Sequence, residues 1–212
     1  MSQAIVVTGT DTGIGKTVFA AGLTDLLDGT YWKPVQSGIE KETDSQVVAR
    51  LAQLSPDRVL PEAWRLKEPL SPHRAAELDG VEIDADALIL PTTNRPLVVE
   101  GAGGLMVPVN RRTFYIDVFA RWRAPVVLCA RTGLGTINHT LLSIEALRSH
   151  AIPLLGIAFI GDEMADTQRT IAEMGKVRVL GRLPRLDQLT PETLAEAMRA
   201  NFKTADFLEA SR

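Results

Sequence analysis

The segment Gly9-Thr10-Asp11-Thr12-Gly13-Ile14-Gly15-Lys16-Thr17 lies between a short apolar run at residues 4–8 and a helical pattern that starts at Lys16. Few features restrict a fold more. A glycine-rich turn leading from a strand into a helix lets consecutive backbone N–H groups converge on an anion, and the helix N-terminus adds a favourable dipole. Lys16 would then reach the outer phosphates of a nucleoside triphosphate, and the Thr17 hydroxyl would complete the shell of a bound Mg²⁺. Compared with the usual G-x-x-x-x-G-K pattern, the loop is longer by one residue, because five residues separate Gly9 from Gly15. Gly-Lys-Thr still falls at the strand-to-helix junction.

The same rhythm recurs along the chain. Apolar, β-branched runs at residues 96–100, 125–130 and 154–160 each precede a glycine-bearing turn and a helical pattern, which predicts βα units around a parallel sheet. The runs are apolar at both parities, so helices are expected on both faces. Weaker strands are predicted at residues 30–34 and 177–183. Helices are predicted at 16–27, 44–54, 116–122, 137–149, 165–174 and 191–201. Residues 55–97, rich in proline and polar side chains, read as a long connection with one short apolar turn at 85–90. The expected fold is α/β and P-loop NTPase-like, a mostly parallel central sheet with helices on both faces, forming a single domain over residues 1–212.

Composition serves mainly to exclude. With 45% hydrophobic and 23% charged residues, neither disorder nor a disulfide-stapled scaffold fits. A net charge of -3 lacks the basic footprint of nucleic-acid binding. Cys129 is the single cysteine and reads as a small buried hydrophobe, since it can form neither an internal disulfide nor a Cys-rich metal site. No apolar run reaches the roughly 20 residues of a membrane span, and the start of the chain lacks the pattern of a signal peptide. No nucleic-acid or membrane partner is expected, and a cytoplasmic location is.

Three further segments leave the carboxyl ends of predicted strands, where an open α/β sheet gathers its ligands. They are Trp32-Lys33-Pro34-Val35-Gln36-Ser37-Gly38, with Thr43-Asp44 following, Val98-Val99-Glu100-Gly101-Ala102-Gly103-Gly104, and Gly133-Leu134-Gly135-Thr136-Ile137-Asn138-His139. Lys33, held extended by the proline after it, should point into the cleft, although a solvated strand-end lysine has the same local pattern. Glu100 ends an apolar strand where P-loop enzymes carry an acidic Mg²⁺ partner. Asp44 is placed at a helix N-cap beside Thr43, and capping alone would account for it. Ser37 next to Gly38 also fits plain turn punctuation. The turn at Gly135, Thr136, Ile137 and Asn138 opens a helix with free N–H groups for an anion, or is simply a capped helix start. His139 is expected to be packed or hydrogen-bonded and not catalytic, and His73 to be carried on a loop.

In these motifs the chain resembles the dethiobiotin synthetase family over nearly its whole length: the elongated loop at residues 9–17, Lys33-Pro34-Val35-Gln36-Ser37-Gly38, Ser71-Pro72-His73, Glu100-Gly101-Ala102-Gly103-Gly104 and Gly135-Thr136-Ile137-Asn138-His139, in that order. The resemblance implies carboxylation of 7,8-diaminopelargonate with CO₂, phosphorylation of the carbamate by ATP, and ring closure with loss of phosphate. It implies Lys33 and Lys16 as catalytic lysines, and Thr17, Asp44 and Glu100 as Mg²⁺ ligands. It implies that Thr12, Lys33, Ser37 and the Gly135–Asn138 turn hold the substrate, the last from a partner subunit of a homodimer with active sites at its interface. Nucleotide contacts fall to Gly13, Ile14, Gly15, Lys16, Thr17 and Val18, to Asp44, Glu100, Gly101, Ala102 and Gly103, and along the base to Gly161, Asp162, Pro184, Arg185 and Leu186. Family members often carry Asn-Asp where this chain has Gly161-Asp162, so the adenine-reading side chain is missing and other nucleoside triphosphates should be tolerated. Residues 83–97 also look shorter than is usual for the family.

Two other classes stay in view. A partitioning or regulatory ATPase of the related deviant P-loop group usually carries a second lysine early in the loop, where this chain has Thr10-Asp11-Thr12. A nucleotide-binding module without chemistry would not need Lys33, Asp44 and Glu100 on one phosphate site.

Overall fold

A computed structural model describes residues 3–208. In chain order the elements are β1 (Ala4–Gly9), α1 (Lys16–Leu26), β2 (Thr30–Trp32), β3 (Val35–Ser37), α2 (Asp44–Leu51), β4 (Val59–Leu60), β5 (Trp64–Leu66), α3 (Pro72–Leu78), β6 (Leu97–Gly104), α4 (Tyr115–Trp122), β7 (Val126–Arg131), α5 (Thr136–Ser149), β8 (Leu154–Ile160), α6 (Ala165–Gly175), β9 (Val179–Leu183), α7 (Pro191–Asn201) and α8 (Ala205–Leu208). Seven strands form one sheet in the order β4-β2-β6-β1-β7-β8-β9, with every neighbouring pair parallel.

Strand residues of alternate parity enter two cores. Val6, Leu97, Val99, Val126 and Leu128 face α3, α4, α5 and α6. Ile5, Val7, Val98, Val127 and Cys129 face α1, α2, α7 and α8. Each fully buried Val or Ile contributes about 1.5–3 kcal/mol, and this two-sided burial is why the runs are apolar at both parities. The strand order also decides where the site lies. β1 is flanked by β6 and β7, so the loop after β1 opens between the carboxyl ends of the strands that carry Glu100 and Cys129.

Several predicted boundaries move. β6 was expected to end at Glu100 but runs to Gly104, because pairing with β1 resumes at Gly9↔Gly104 after a register shift. β2 stops at Trp32, ahead of Pro34, which cannot donate to the ladder. The chain restarts as β3, which pairs with β5 in a separate two-stranded sheet. α2 ends at Leu51 rather than at 54, because Gln53 turns to a φ of 48°. Residues 55–97 are not featureless: they contain a 3₁₀ turn at Pro56–Arg58, β4, β5 and α3. α3 has seven residues, too few for a clear apolar period. Its available signal was Ser71-Pro72, a residue suited to an N-cap followed by proline in the first turn. His73 therefore lies in this helix and not on a loop.

Candidate active site

The loop at residues 10–15 folds over the head of α1. Gly15, the residue before the helix, has a φ of 97°, and a Cβ there would lie 3.0 Å from Ile160 Cγ2 at the end of β8. Both the backbone conformation and the space demand glycine. Lys16 is buried and its ammonium donates to the Asp11 carbonyl at 2.7 Å, across the loop. Burial is the main influence lowering its pKa; Lys33 adds to this, and Glu100 and Asp44 oppose it.

Thr17, in the first turn of α1, donates its hydroxyl to Glu100 Oε1 at 2.9 Å and lies 3.2 Å from Asp44 Oδ1. Lys33, just past the end of β2, has a side chain 4% exposed. Its ammonium meets Asp44 Oδ2 at 2.7 Å, Glu100 Oε1 at 3.1 Å and the Gly101 carbonyl at 3.1 Å. All three of its N–H donors are used. Burial pulls Lys33 towards neutrality, but Glu100, Asp44 and the hydrogen bond to Asp44 outweigh it and hold its pKa above the ordinary lysine value. Burial raises the Asp44 pKa, and Lys33 and Thr17 more than reverse that, so the carboxyl lies below its usual value.

Asp44 is not the N-cap predicted for it. Thr43 is: its hydroxyl accepts from the Gln46 amide at 3.3 Å, while the Gln46 side chain accepts from the Thr43 amide at 2.8 Å. With that reciprocal cap made by its neighbours, the Asp44 carboxylate is free to face Thr17 and Lys33. Gln36, which the sequence reading passed over, fixes the helix start by accepting from the Asp44 amide at 3.2 Å.

One cavity of about 760 Å³ takes in Thr12, Gly13, Gly15, Lys16, Thr17, Val18, Lys33, Ser37, Asp44, Glu100, Ala102 and Gly103, together with Gln36 and Pro69–Pro72, which were not predicted. Ser37 Oγ is buried with no partner among the described residues. Gly101 contributes its carbonyl to Lys33, and Ile14 packs in the core behind the loop. The oxygens of Thr17, Asp44 and Glu100 converge as an all-oxygen set suited to a hard cation. Among the described residues no group of three or more His, Cys, Asp or Glu side chains could hold a metal. Two carboxylates and a hydroxyl therefore suit an ion that keeps water and phosphate ligands, as Mg²⁺ does.

The remaining predicted residues stand apart from this cavity. Gly161 and Asp162 follow β8, beside the contact between Ile160 and Gly15, and Pro184, Arg185 and Leu186 follow β9. Arg185 and Asp162 form an exposed ion pair at 3.5 Å. Gly161 has a φ of 125°, and a Cβ there would meet Thr132 Oγ1 at 2.7 Å. Gly135 precedes α5 with a φ of 88° and no side-chain cap, and Asn138 is exposed. His139, expected to be packed or hydrogen-bonded, is not packed and lies exposed on α5. A second cavity of about 400 Å³ on the α3 side holds His73, Asn110 and Arg111 and none of the predicted site residues.

A parallel sheet with a Gly-Lys-Thr loop between its first strand and first helix defines the chain as a P-loop NTPase-type protein. A family model described as an AAA domain matches residues 3–193. The chain is 67% identical over 208 residues to the ATP-dependent dethiobiotin synthetase BioD of Rhodopseudomonas palustris strain TIE-1, covering 98% of each chain. It is 60% identical over 212 residues to the protein of the same name from Brucella ovis, covering all of both. The chain belongs to the ATP-dependent dethiobiotin synthetase family. Solved structures share the fold at low identity: a putative plasmid partition protein of Borrelia burgdorferi bound to AMPPNP (TM-score 0.57, 13% identical, covering 99% of this chain and 98% of that one). Another is the septum site-determining protein MinD of Pyrococcus horikoshii complexed with Mg-ADP (TM-score 0.56, 11% identical, covering 100% and 90%).

Proposed function

We propose that the cavity carries out the Mg²⁺- and ATP-dependent closure of the ureido ring of dethiobiotin from 7,8-diaminopelargonate and CO₂. The supporting observation is the Lys33 ammonium, 2.7 Å from Asp44 and 3.1 Å from Glu100, beside the Thr17 of the phosphate loop. One substrate amine attacks CO₂ and loses a proton, giving a carbamate. A carbamate oxygen then attacks the γ-phosphorus and ADP leaves. The second amine attacks the carbamoyl carbon, loses a proton and expels inorganic phosphate.

Two anions must meet in the second step, and cations have to lie between them. Lys16 and Lys33, both in the cavity lining, supply two ammonium groups. Thr17, Asp44 and Glu100 would hold Mg²⁺, which when bound screens the phosphate charge. The turn of Gly13, Ile14, Gly15 and Val18 would hold the phosphates, together with the Gly101, Ala102 and Gly103 segment. Ser37 Oγ, buried without a partner among the described residues, is a donor for the carbamate or an amine, and Thr12 lines the same cavity. The helix start at Gly135–Asn138 binds the distal carboxylate of a substrate held in the partner subunit of a homodimer. Supporting this, Leu134 is fully exposed and Met106 and Leu142 are largely so, a set of apolar side chains that a second copy would cover.

Asp162, Pro184, Arg185 and Leu186 flank the base, and Gly161 offers it no side chain. Rates with ATP, CTP and GTP should therefore lie within about tenfold, the size of one lost hydrogen bond; a strong preference for ATP would refute this tolerance. No helix among the described residues is long and apolar enough to cross a membrane. A cytoplasmic location is proposed because the reaction consumes ATP and a small biosynthetic intermediate. The decisive assay incubates the protein with diaminopelargonate, bicarbonate, Mg²⁺ and ATP and looks for dethiobiotin by mass. Absence of product, with ATP hydrolysis independent of substrate, would favour the partitioning-type ATPase instead.

A further inference from the structure

Glu100 is 1% exposed, so each of its oxygens needs a partner within the protein. Oε1 accepts from Thr17 and Lys33. Oε2 accepts from the Tyr31 phenol at 2.8 Å. Tyr31 is itself fully buried, and its phenol donates to this one carboxylate oxygen. The β2–β6 register pairs Tyr31 with Val98, which puts Glu100 two residues further along the same face, within the diagonal reach of a long aromatic side chain. β2 is hydrogen-bonded to a strand on each side, so the phenol is carried on a fixed backbone.

We infer that Tyr31 is a positioning residue that confines Glu100 to one metal-facing oxygen and thereby selects Mg²⁺ over Ca²⁺. The inference rests on the Mg²⁺ site proposed above. Chelation by both carboxylate oxygens would turn Oε2 away from Tyr31 and strand a buried hydroxyl without a partner. Mg²⁺ demands near-octahedral geometry, which the narrow bite of a bidentate carboxylate distorts, whereas Ca²⁺ accepts such carboxylates in flexible shells of about 6–8 oxygens. With the phenol in place Glu100 suits the first ion. Without it Oε2 can rotate in and favour the second.

The test is direct metal binding. Electron paramagnetic resonance of Mn²⁺ bound with AMPPNP, in competition with Mg²⁺ and with Ca²⁺, gives a selectivity ratio that does not depend on turnover. In Tyr31→Phe the ratio should move towards Ca²⁺ by about tenfold, the size of one charge-assisted hydrogen bond, while AMPPNP binding in EDTA is unchanged. An unchanged ratio in a variant that still binds AMPPNP overturns the inference. The chain has two tyrosines, so fluorotyrosine labelling, assigned with Tyr115→Phe, gives a second measurement on the Tyr31 side chain itself. Its fluorine resonance should hold its position when Mg²⁺ and AMPPNP bind. A shift to that of an unbonded phenol overturns the inference even if Tyr31→Phe fails to fold. If the unaltered protein binds no Mn²⁺ with AMPPNP, or Glu100→Gln binds it equally well, the metal site itself is refuted and the inference with it.

Discussion

Lys33 carries a load in the unliganded protein as well as a proposed role in the reaction. Its ammonium neutralises the buried Glu100 and the partly exposed Asp44, and removing one partner of a buried pair costs about 3–5 kcal/mol because the other charge is left uncompensated. Lys33→Ala should therefore lower the melting temperature and reduce turnover by about 10²–10³-fold, as loss of an electrostatic stabiliser does. The KM for ATP should change little, since the loop N–H groups remain. Full activity in steady-state kinetics would remove Lys33 from its role. Cys129 behaves in the opposite way. It is 0% exposed, and burial pushes its thiol pKa far above the usual value, with Lys16 opposing. A thiol reagent at pH 8 should leave the native protein untouched and react fully only after denaturation. Gly161 is constrained by its φ of 125° and by Thr132. Gly161→Asn should cost about 1–3 kcal/mol of strain in a thermal melt, and adding Thr132→Ala should recover part of that loss.

At the scale of elements, the start of α2 shows how local chemistry sets a distant site. The reciprocal cap between Thr43 and Gln46 leaves Asp44 free to turn inward. Thr43→Ala should lower stability by about 1 kcal/mol and raise the Mg²⁺ concentration needed for half-maximal rate, as read in a metal titration. An unchanged titration would mean that the cap is structural only. The long strands and helices were legible because their periods are long enough to be distinctive, as the match of α7 to 191–201 shows. β3, β5 and α3 were not. β3 and β5 have three residues each and owe their existence to each other, since neither has a pattern that would hold it alone.

For the whole molecule, the proposed homodimer makes a prediction that a single chain does not. Lys33→Ala disables one side of the proposed site, and Asn138→Asp places a negative charge at the turn proposed to receive the substrate carboxylate. Neither variant alone should turn over normally. Mixed and allowed to exchange subunits, they should recover about a quarter of wild-type activity, because half the dimers are mixed and each has one intact site. No recovery, despite exchange seen by native mass spectrometry, would place the whole site within one subunit. The sequence by itself determined the glycine loop, the parallel sheet with helices on two faces, and the motifs that mark the family, because each is written in turn chemistry or periodicity over adjacent residues. Only the tertiary structure decided that Lys33 lies between two carboxylates, that Thr43 and not Asp44 caps α2, and that Tyr31 holds Glu100 from 69 positions away. The contacts of Lys33 and Tyr31 with Glu100 depend on strand order and register, which set side chains face to face only once the sheet is assembled, whereas the cap of α2 is local and turns on a one-residue shift of the helix start.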